Sequence, residues 1–362
     1  MEQKKKLVAD VNIPYCISPE RFTSAGQLVG TKEEKDAYLA AVLREVQLYT
    51  DELEDYEIHA VRLGGGAATV MKPDLLGRVL KEIRQRLPVS PRAEVSFDAL
   101  PKTIGTPALT GIAAGHPNRA ELMMRSSSSR ELAALGCASS TEDFHIALAF
   151  LRKFGMRNIG VTVNCAFPGQ TQVHWETTLR SCTMLHLPHI TIEFGKDAGD
   201  DGFGFFDHAC RVLKEAGYTQ YAPGLFCQPG AEYRQLRLRY AGCDVLGLGL
   251  NAISVLDGVV TRNTNNPALY IKNAGSFDKQ IAEVHTLSED QIGRLYAANC
   301  LALPAGLEFA MFRERYPASA RPLETLLPEF CRKDYLKENA GIFTPTQKGF
   351  YRYPAMRAAL LS

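Results

Sequence analysis

The chain opens on a short alternation, "KLVADVNIP", in which Val11 and Ile13 occupy one face and Asp10 and Asn12 the other. A period of two marks a half-buried strand. A helix follows over "TKEEKDAYLAAVLREVQLYTDELE", where Leu39, Val42, Leu43 and Val46 share a face and Thr31 with Glu34 forms a capping box. The couplet then recurs. Strand "EIHAVRLGGG" precedes helix "KPDLLGRVLKEIRQRL", with Leu76, Val79, Leu80 and Ile83 inward, and strand "AEVSFDALP" precedes the short helix "TPALTGIAAG". Strand "RAELMMRS" leads to a helix ending near Gly155, "RNIGVTVNCAFPG" to helix "TQVHWETTLRSCTML", and "HITIEFGK" is a sixth strand.

Strands that each lead into a helix predict a parallel sheet. Its shape follows from the strand faces. In an open sheet covered on both sides, strands read apolar throughout. Here one face is polar in nearly every strand: Asp10 and Asn12; Arg62; Glu94, Ser96 and Asp98; Glu121 and Arg125; Thr162 and Asn164; Thr191 and Glu193. The other face carries Val11, Ile13, Val61, Leu63, Val95, Phe97, Leu122, Met124, Val161, Val163, Ile190 and Ile192. Helices would cover the apolar side. The polar side must line something wet or occupied, because unpaired buried charge is costly. The α/β pattern thus predicts a partial (β/α)6 TIM-like barrel with a polar lumen.

After Lys196 the rhythm changes. "DHACRVLKEAGY" is a helix, "TQYAPGLFCQPG" is extended, and "GCDVLGLGLNAISVLDGVVTRN" is a glycine-punctuated strand pair. From about Ser276 the pattern is mostly helical. The expected organisation is a barrel over 1–200, a barrel-completing α/β extension over 201–275 and a C-terminal helical domain over 276–362.

Composition narrows the function classes. The 362 residues suffice for a large core, and 46% hydrophobic with 22% charged residues is ordinary for a soluble globular chain. The net charge of +1, with no basic block beyond Lys4–Lys6, gives no nucleic-acid footprint. The apolar run after those lysines is broken by Asp10 and Asn12, so it fits neither a signal peptide nor a membrane span. Nine scattered cysteines without a CxxC pair fit free thiols in a reducing cytoplasm, the expected location.

The strings "VNIPYC", "LGGGAAT", "EVSFDALP", "NRAELMMRSSSSRELAALG", "FPGQTQVHWETTL" and "GLGLNAIS" stand in an order that resembles the radical S-adenosylmethionine proteins of the oxygen-independent coproporphyrinogen III oxidase-like group. The resemblance runs nearly the whole length, through "AGLEFAMFRERY" and "TPTQKGFYRY". It implies a partial (β/α)6 barrel with a radical SAM site at the carboxyl ends of the strands. In that group a CxxxCxxC loop after the first strand holds a 4Fe–4S centre whose fourth iron binds S-adenosylmethionine. The matching positions here are Cys16, Glu20 and Thr23, with Phe22 keeping the aromatic before the third. One thiolate does not hold such a cluster, so the resemblance is to a degenerate member lacking two of the three cysteines.

Other positions depart as well. The resemblance puts Gly64, Gly65 and Gly66 against the methionine part of the cofactor and keeps the family's third-strand acid as Asp98. The fourth-strand glutamine becomes Arg125, the arginine after "LG" becomes Cys137, and the fifth-strand aspartate becomes Thr162. The family's first-strand tyrosine and histidine become Asp10 and Asn12, and the haem-chaperone stretch HNxxYW is absent near "YRQLRLRYAG".

The expected site is therefore the lumen. Asp10, Asn12, Phe22, Arg62, Gly64, Gly65, Gly66, Arg125, Thr162 and Asn164 are its candidate ligand-binding residues, and Cys16 with Glu20 a residual metal pair. The first expectation is a carrier or pseudoenzyme binding a tetrapyrrole, S-adenosylmethionine or another anionic metabolite, alone or beside an active relative or a second copy. It has S-adenosylmethionine as a candidate cofactor, no 4Fe–4S cluster, and no nucleic-acid or membrane partner. The second is a non-radical enzyme with Asp98, Glu121 or Glu193 as acid or base and Arg62 or Arg125 holding an anion. The third is a radical oxidoreductase or methyltransferase with unusual ligation, Cys165 and Cys227 approaching the mouth. Against all three stands a closed lattice of ion pairs, such as Arg62–Asp98 and Arg125–Glu193, filling the lumen without a ligand.

Overall fold

The computed structural model describes residues 4–21, 28–194 and 199–362. The barrel runs β1 (Lys5–Ile13), α1 (Lys32–Leu48), β2 (Tyr56–Gly65), α2 (Pro73–Arg86), β3 (Val89–Ala99), α3 (Thr106–Ala113) and β4 (Arg119–Arg125). It continues with α4 (Ser129–Leu135), α5 (Thr141–Lys153), β5 (Asn158–Cys165), α6 (Gln172–Met184) and β6 (His189–Phe194). The expected capping box closes α1: Glu34 N–H donates to Thr31 Oγ1 at 3.2 Å, and Thr31 N–H to Glu34 Oε2 at 2.8 Å. Pro73 opens α2, where its missing N–H costs nothing. The single helix expected before Gly155 is two helices, because Gly136 (φ 73°) ends α4 in the left-handed region and Ser140 caps a new start.

Beyond the barrel lie α7 (Phe203–Glu215), β7 (Thr219–Ala222), β8 (Leu225–Cys227), α8 (Arg234–Tyr240) and β9 (Asp244–Gly249). Next come β10 (Ile253–Leu256), β11 (Val259–Asn263), α9 (Pro267–Asn273), α10 (Phe277–Gln280) and β12 (Ile281–Thr286). The strand order is β12-β11-β10-β9-β1-β2-β3-β4-β5-β6-β8-β7. β9 lies parallel to β1, so the strand pair expected over 242–263 is a seventh parallel strand followed by an antiparallel hairpin. β12 pairs with β11 and carries the large sheet to Thr286, ten residues past the expected break at 276.

The C-terminal segment is α11 (Glu289–Leu301), β13 (Leu307–Glu308), α12 (Phe309–Arg315), α13 (Pro317–Arg332), β14 (Leu336–Asn339), β15 (Ile342–Pro345) and α14 (Gln347–Leu361). It has its own apolar core around Leu301, Phe312, Leu323 and Leu360, while Phe350 and Tyr351 of α14 join the barrel core. The alternation read from the sequence holds: Val11, Ile13, Leu63, Phe97, Leu122, Val161, Val163 and Ile190 are fully buried beneath the helices. The polar positions line up by register, Asp10 beside Arg62, Arg62 beside Ser96, Asp98 beside Glu121 and Asn164 beside Glu193.

Candidate functional site

In the lumen these side chains stack in three tiers, each a guanidinium between two carboxylates. In the lower tier, Arg119 Nε donates to Glu121 Oε1 at 2.6 Å and its Nη1 lies 3.6 Å from Glu94 Oε2. The Tyr233 ring faces the Arg119 guanidinium at 4.4 Å, and Tyr233 Oη bonds Ser96 Oγ at 2.7 Å. His189 Nε2 bonds Tyr221 Oη at 2.7 Å, and its Nδ1 lies 3.7 Å from Glu121 Oε2. Burial alone would raise the Glu121 carboxyl, yet Arg119 and His189 hold it down at about 2. Burial lowers His189 despite Glu121.

The middle tier is Arg62, whose Nη2 donates to Asp98 Oδ2 at 2.5 Å and Nη1 to Asp10 Oδ1 at 3.3 Å. Arg239, on α8, donates to Asp10 Oδ2 at 3.1 Å. Burial pushes Asp98 up to about 6 against the pull of Arg62, helped by Glu121 and Asp10. The upper tier, at the mouth, is Arg125: Nε donates to Glu20 Oε2 at 2.9 Å and Nη1 to Glu193 Oε2 at 2.6 Å. Arg125 ends β4 at φ 64°, after a register shift past Met123. A left-handed non-glycine backbone is uncommon, and here two ion pairs anchor the side chain it presents.

The lattice weighed against a lumen ligand is thus present. Arg62 and Arg125 each face two carboxylates, so a further anion at either would meet net negative charge. Gly64, Gly65 and Gly66 permit close approach, and the chain itself takes the space. A Cβ at Gly64 would lie 2.4 Å from Arg62 Cζ, one at Gly65 (φ 95°) 1.8 Å from Asn12 Oδ1, and one at Gly66 2.6 Å from the Tyr15 carbonyl oxygen. Asn12 Nδ2 donates to the Leu250 carbonyl at 2.6 Å. Thr162 and Asn164 are buried, and Asn164 Oδ1 accepts no hydrogen bond among the described residues. Phe22 and Thr23 lie outside the described residues.

The described residues do not bring three thiolates together around Cys16. Cys16 is buried and its thiol is pushed up by burial and by Glu20. Glu20 is engaged by Arg125. Among the described residues no group of three or more His, Cys, Asp and Glu side chains is placed to hold a metal. Cys165 ends β5 at the mouth but on its helix side, and Cys227 lies at the far end of the sheet. Cys165 shares the apolar strand face with Val161 and Val163, and Cys227 pairs with His189 at the other end of β6. The period of two explains the first: position 165 takes the parity of the helix side.

A second candidate space lies outside the lumen. A cleft of about 660 Å³ separates α8, β9 and β10 from α11 and α14. Val245, Val255, Ile292 and Leu295 form apolar walls, and Arg239, Tyr240, Cys243 and Arg357 supply polar groups. Arg357 is exposed and forms no ion pair among the described residues. Sequence reading missed this cleft, the roles of Arg119, Tyr221, Tyr233 and Arg239 in the lumen, and Glu45. Glu45, on α1, is fully buried and accepts from Gly249 N–H (2.7 Å), Asn263 Nδ2 (2.6 Å), Tyr270 Oη (2.5 Å) and Gln280 Nε2 (3.0 Å). Its position on the buried α1 face with Val42 and Val46 was the available signal.

No family model matches the chain. It is 22% identical over 299 residues to the heme chaperone HemW of Lactococcus lactis, covering 78% of each chain. It is 21% identical over 364 residues to HemW of Haemophilus influenzae, covering 94% of each. With the oxygen-independent coproporphyrinogen III oxidase of Bradyrhizobium diazoefficiens it shares 24% over 311 residues, 77% of this chain and 69% of that one. Its fold is that of coproporphyrinogen III oxidase (HemN) from Escherichia coli, a radical SAM enzyme: TM-score 0.85 at 17% identity, over 100% of this chain and 91% of that one. Heme chaperones and coproporphyrinogen oxidases are thus its homologues. No described helix is long and apolar enough to cross a membrane.

Proposed function

We propose, from this kinship with heme chaperones and anaerobic coproporphyrinogen oxidases, that the chain is a tetrapyrrole carrier that works without radical chemistry. The observation that carries the reading is the Glu20–Arg125–Glu193 triple at the mouth. Glu20 stands at the family's second cluster position, and its carboxylate is committed to a buried guanidinium. A cubane there would have to displace that ion pair and find two further thiolates.

The tetrapyrrole would sit in the cleft against α14 and not in the lumen. Its flat apolar ring suits walls such as Val255 and Leu295, while its carboxylates need cations that are not already matched. Arg357 is such a cation, whereas Arg239, which also lines the cleft, is paired with Asp10. Cys243 offers a soft sulfur to a ring-bound iron. The lumen ion pairs then act as a rigid support, and no residue of the barrel need act as acid or base.

The test is a spectrophotometric titration of the full chain with hemin, run beside an anaerobic assay for 5′-deoxyadenosine. The proposal expects a saturable Soret band, shifted in Cys243→Ala, and no nucleoside product. Release of 5′-deoxyadenosine, or hemin absorbance that never saturates, would overturn it.

A further inference from the structure

We propose a second binding site, for a small phosphoryl-bearing anion, at the opposite end of the barrel from the mouth. A cavity of about 400 Å³ lies where the amino-terminal parts of the strands meet the segment around α8. Four permanent cations line it, Lys6, Arg119, Arg234 and Arg237, against two carboxylates, Glu94 and Glu232. The site is independent of the cleft and of the tetrapyrrole reading.

Arg119 makes this more than a solvated basic rim. It is 1% exposed, and its Nη2 has no hydrogen-bond partner among the described residues. The rest of its guanidinium is in use: Nε serves Glu121 at 2.6 Å, and Nη1 lies 3.3 Å and 3.5 Å from the Ala231 and Glu232 carbonyl oxygens. A buried charged N–H without an acceptor is costly, and native proteins rarely leave one so. An anion in the cavity supplies the missing acceptor.

The remaining cations favour a phosphoryl group over a single carboxylate. Lys6, Arg234 and Arg237 form no ion pair among the described residues. Arg234 is oriented by donating Nη1 to the Arg92 carbonyl at 2.6 Å. Lys6 comes from β1, Arg119 from β4, and the other two from α8, so donors converge from three elements. Guanidinium forks and an ammonium arranged in this way suit several oxygens around one phosphorus. Glu94 and Glu121 are matched by Arg119, and Glu94 also lies 3.4 Å from the Gln235 backbone N–H, so Lys6, Arg234 and Arg237 remain as the cations for an anion.

The test is isothermal titration of the full chain with inorganic pyrophosphate, with citrate as the competing polycarboxylate. The proposal expects one saturable site and a more than tenfold loss of affinity in Arg234→Glu/Arg237→Glu, with an unchanged melting temperature. Both arginines are exposed, so the variant tests binding without touching the core. Charge reversal at Arg211, on α7, serves as the control and should leave affinity unaltered. Absence of saturable heat, tighter binding of citrate, or equal loss in the Arg211 variant would each overturn the proposal.

Discussion

The barrel lumen and the C-terminal cleft both bring arginines together, and they do opposite things with them. In the lumen Arg62, Arg119 and Arg125 are each clasped by two carboxylates, Asp10 and Asp98, Glu94 and Glu121, Glu20 and Glu193. In the cleft Arg357 stands against the hydroxyls of Tyr353 and Tyr240 and forms no ion pair among the described residues. Charge matched within the chain builds structure. Charge left unmatched beside an apolar wall is available to a ligand. Under the proposed function, support falls to the barrel and recognition to the cleft beside α14.

The sharpest way to break the comparison is to remove a clasped arginine. Arg119→Met leaves Glu94 and Glu121 buried without their counterion, and loss of one partner of a buried pair costs about 3–5 kcal/mol. Urea unfolding should show that loss. A change under about 1 kcal/mol, the scale of a surface pair, would mean that the lower tier is not a buried support.

Next in size is Glu45, which ties α1 to β9, β11 and α9, where the barrel meets the extension bordering the cleft. Burial, partly offset by the bonds from Tyr270, Asn263, Gly249 and Gln280, raises its carboxyl from the usual 4.5 to about 7. The folded state therefore holds this proton more tightly than the unfolded chain. Its contribution is fully present below about 4.5 and is lost as pH rises through about 7, a swing of about 3 kcal/mol. Denaturant midpoints across that range should decline in the native chain, and Glu45→Gln should flatten the slope. An unaltered slope in the variant would assign the pH dependence elsewhere.

The smallest effect separates the two regions most directly. Arg357→Glu should weaken hemin binding by more than about tenfold, or about 1.4 kcal/mol, with the circular dichroism spectrum intact. Asp98→Asn, in the lumen, should leave hemin affinity as it was. The reverse pattern would move the ligand back into the barrel.

Much of the barrel was legible because strand and helix periods differ and the sequence keeps both. "VNI", "VRL" and "VSFD" alternate cleanly, and the Thr31–Glu34 cap is local. Arg62–Asp98 and Arg125–Glu193 could be named as pairs because both lie on the polar strand face. Glu20–Arg125 could not, since its partners are 105 residues apart and one sits in a loop. The cleft was invisible for a related reason: it joins α8 and β9 to α14 across more than a hundred residues, and no local pattern encodes such a docking. Arg119 was overlooked because it starts its strand, where a charged residue ordinarily reaches solvent, whereas here the Tyr233 ring and the 231–232 backbone cover it.

The central claim is that Cys16 and a carboxylate committed to Arg125, with Cys137 near that ion pair, do not supply the three thiolates a cluster needs. Iron and sulfide analysis of anaerobically reconstituted protein, read with its electron paramagnetic resonance after dithionite reduction, tests it most directly. The account predicts far less than one iron per chain and no cubane signal. About four irons and four sulfides per chain with a reducible cubane signal would contradict it.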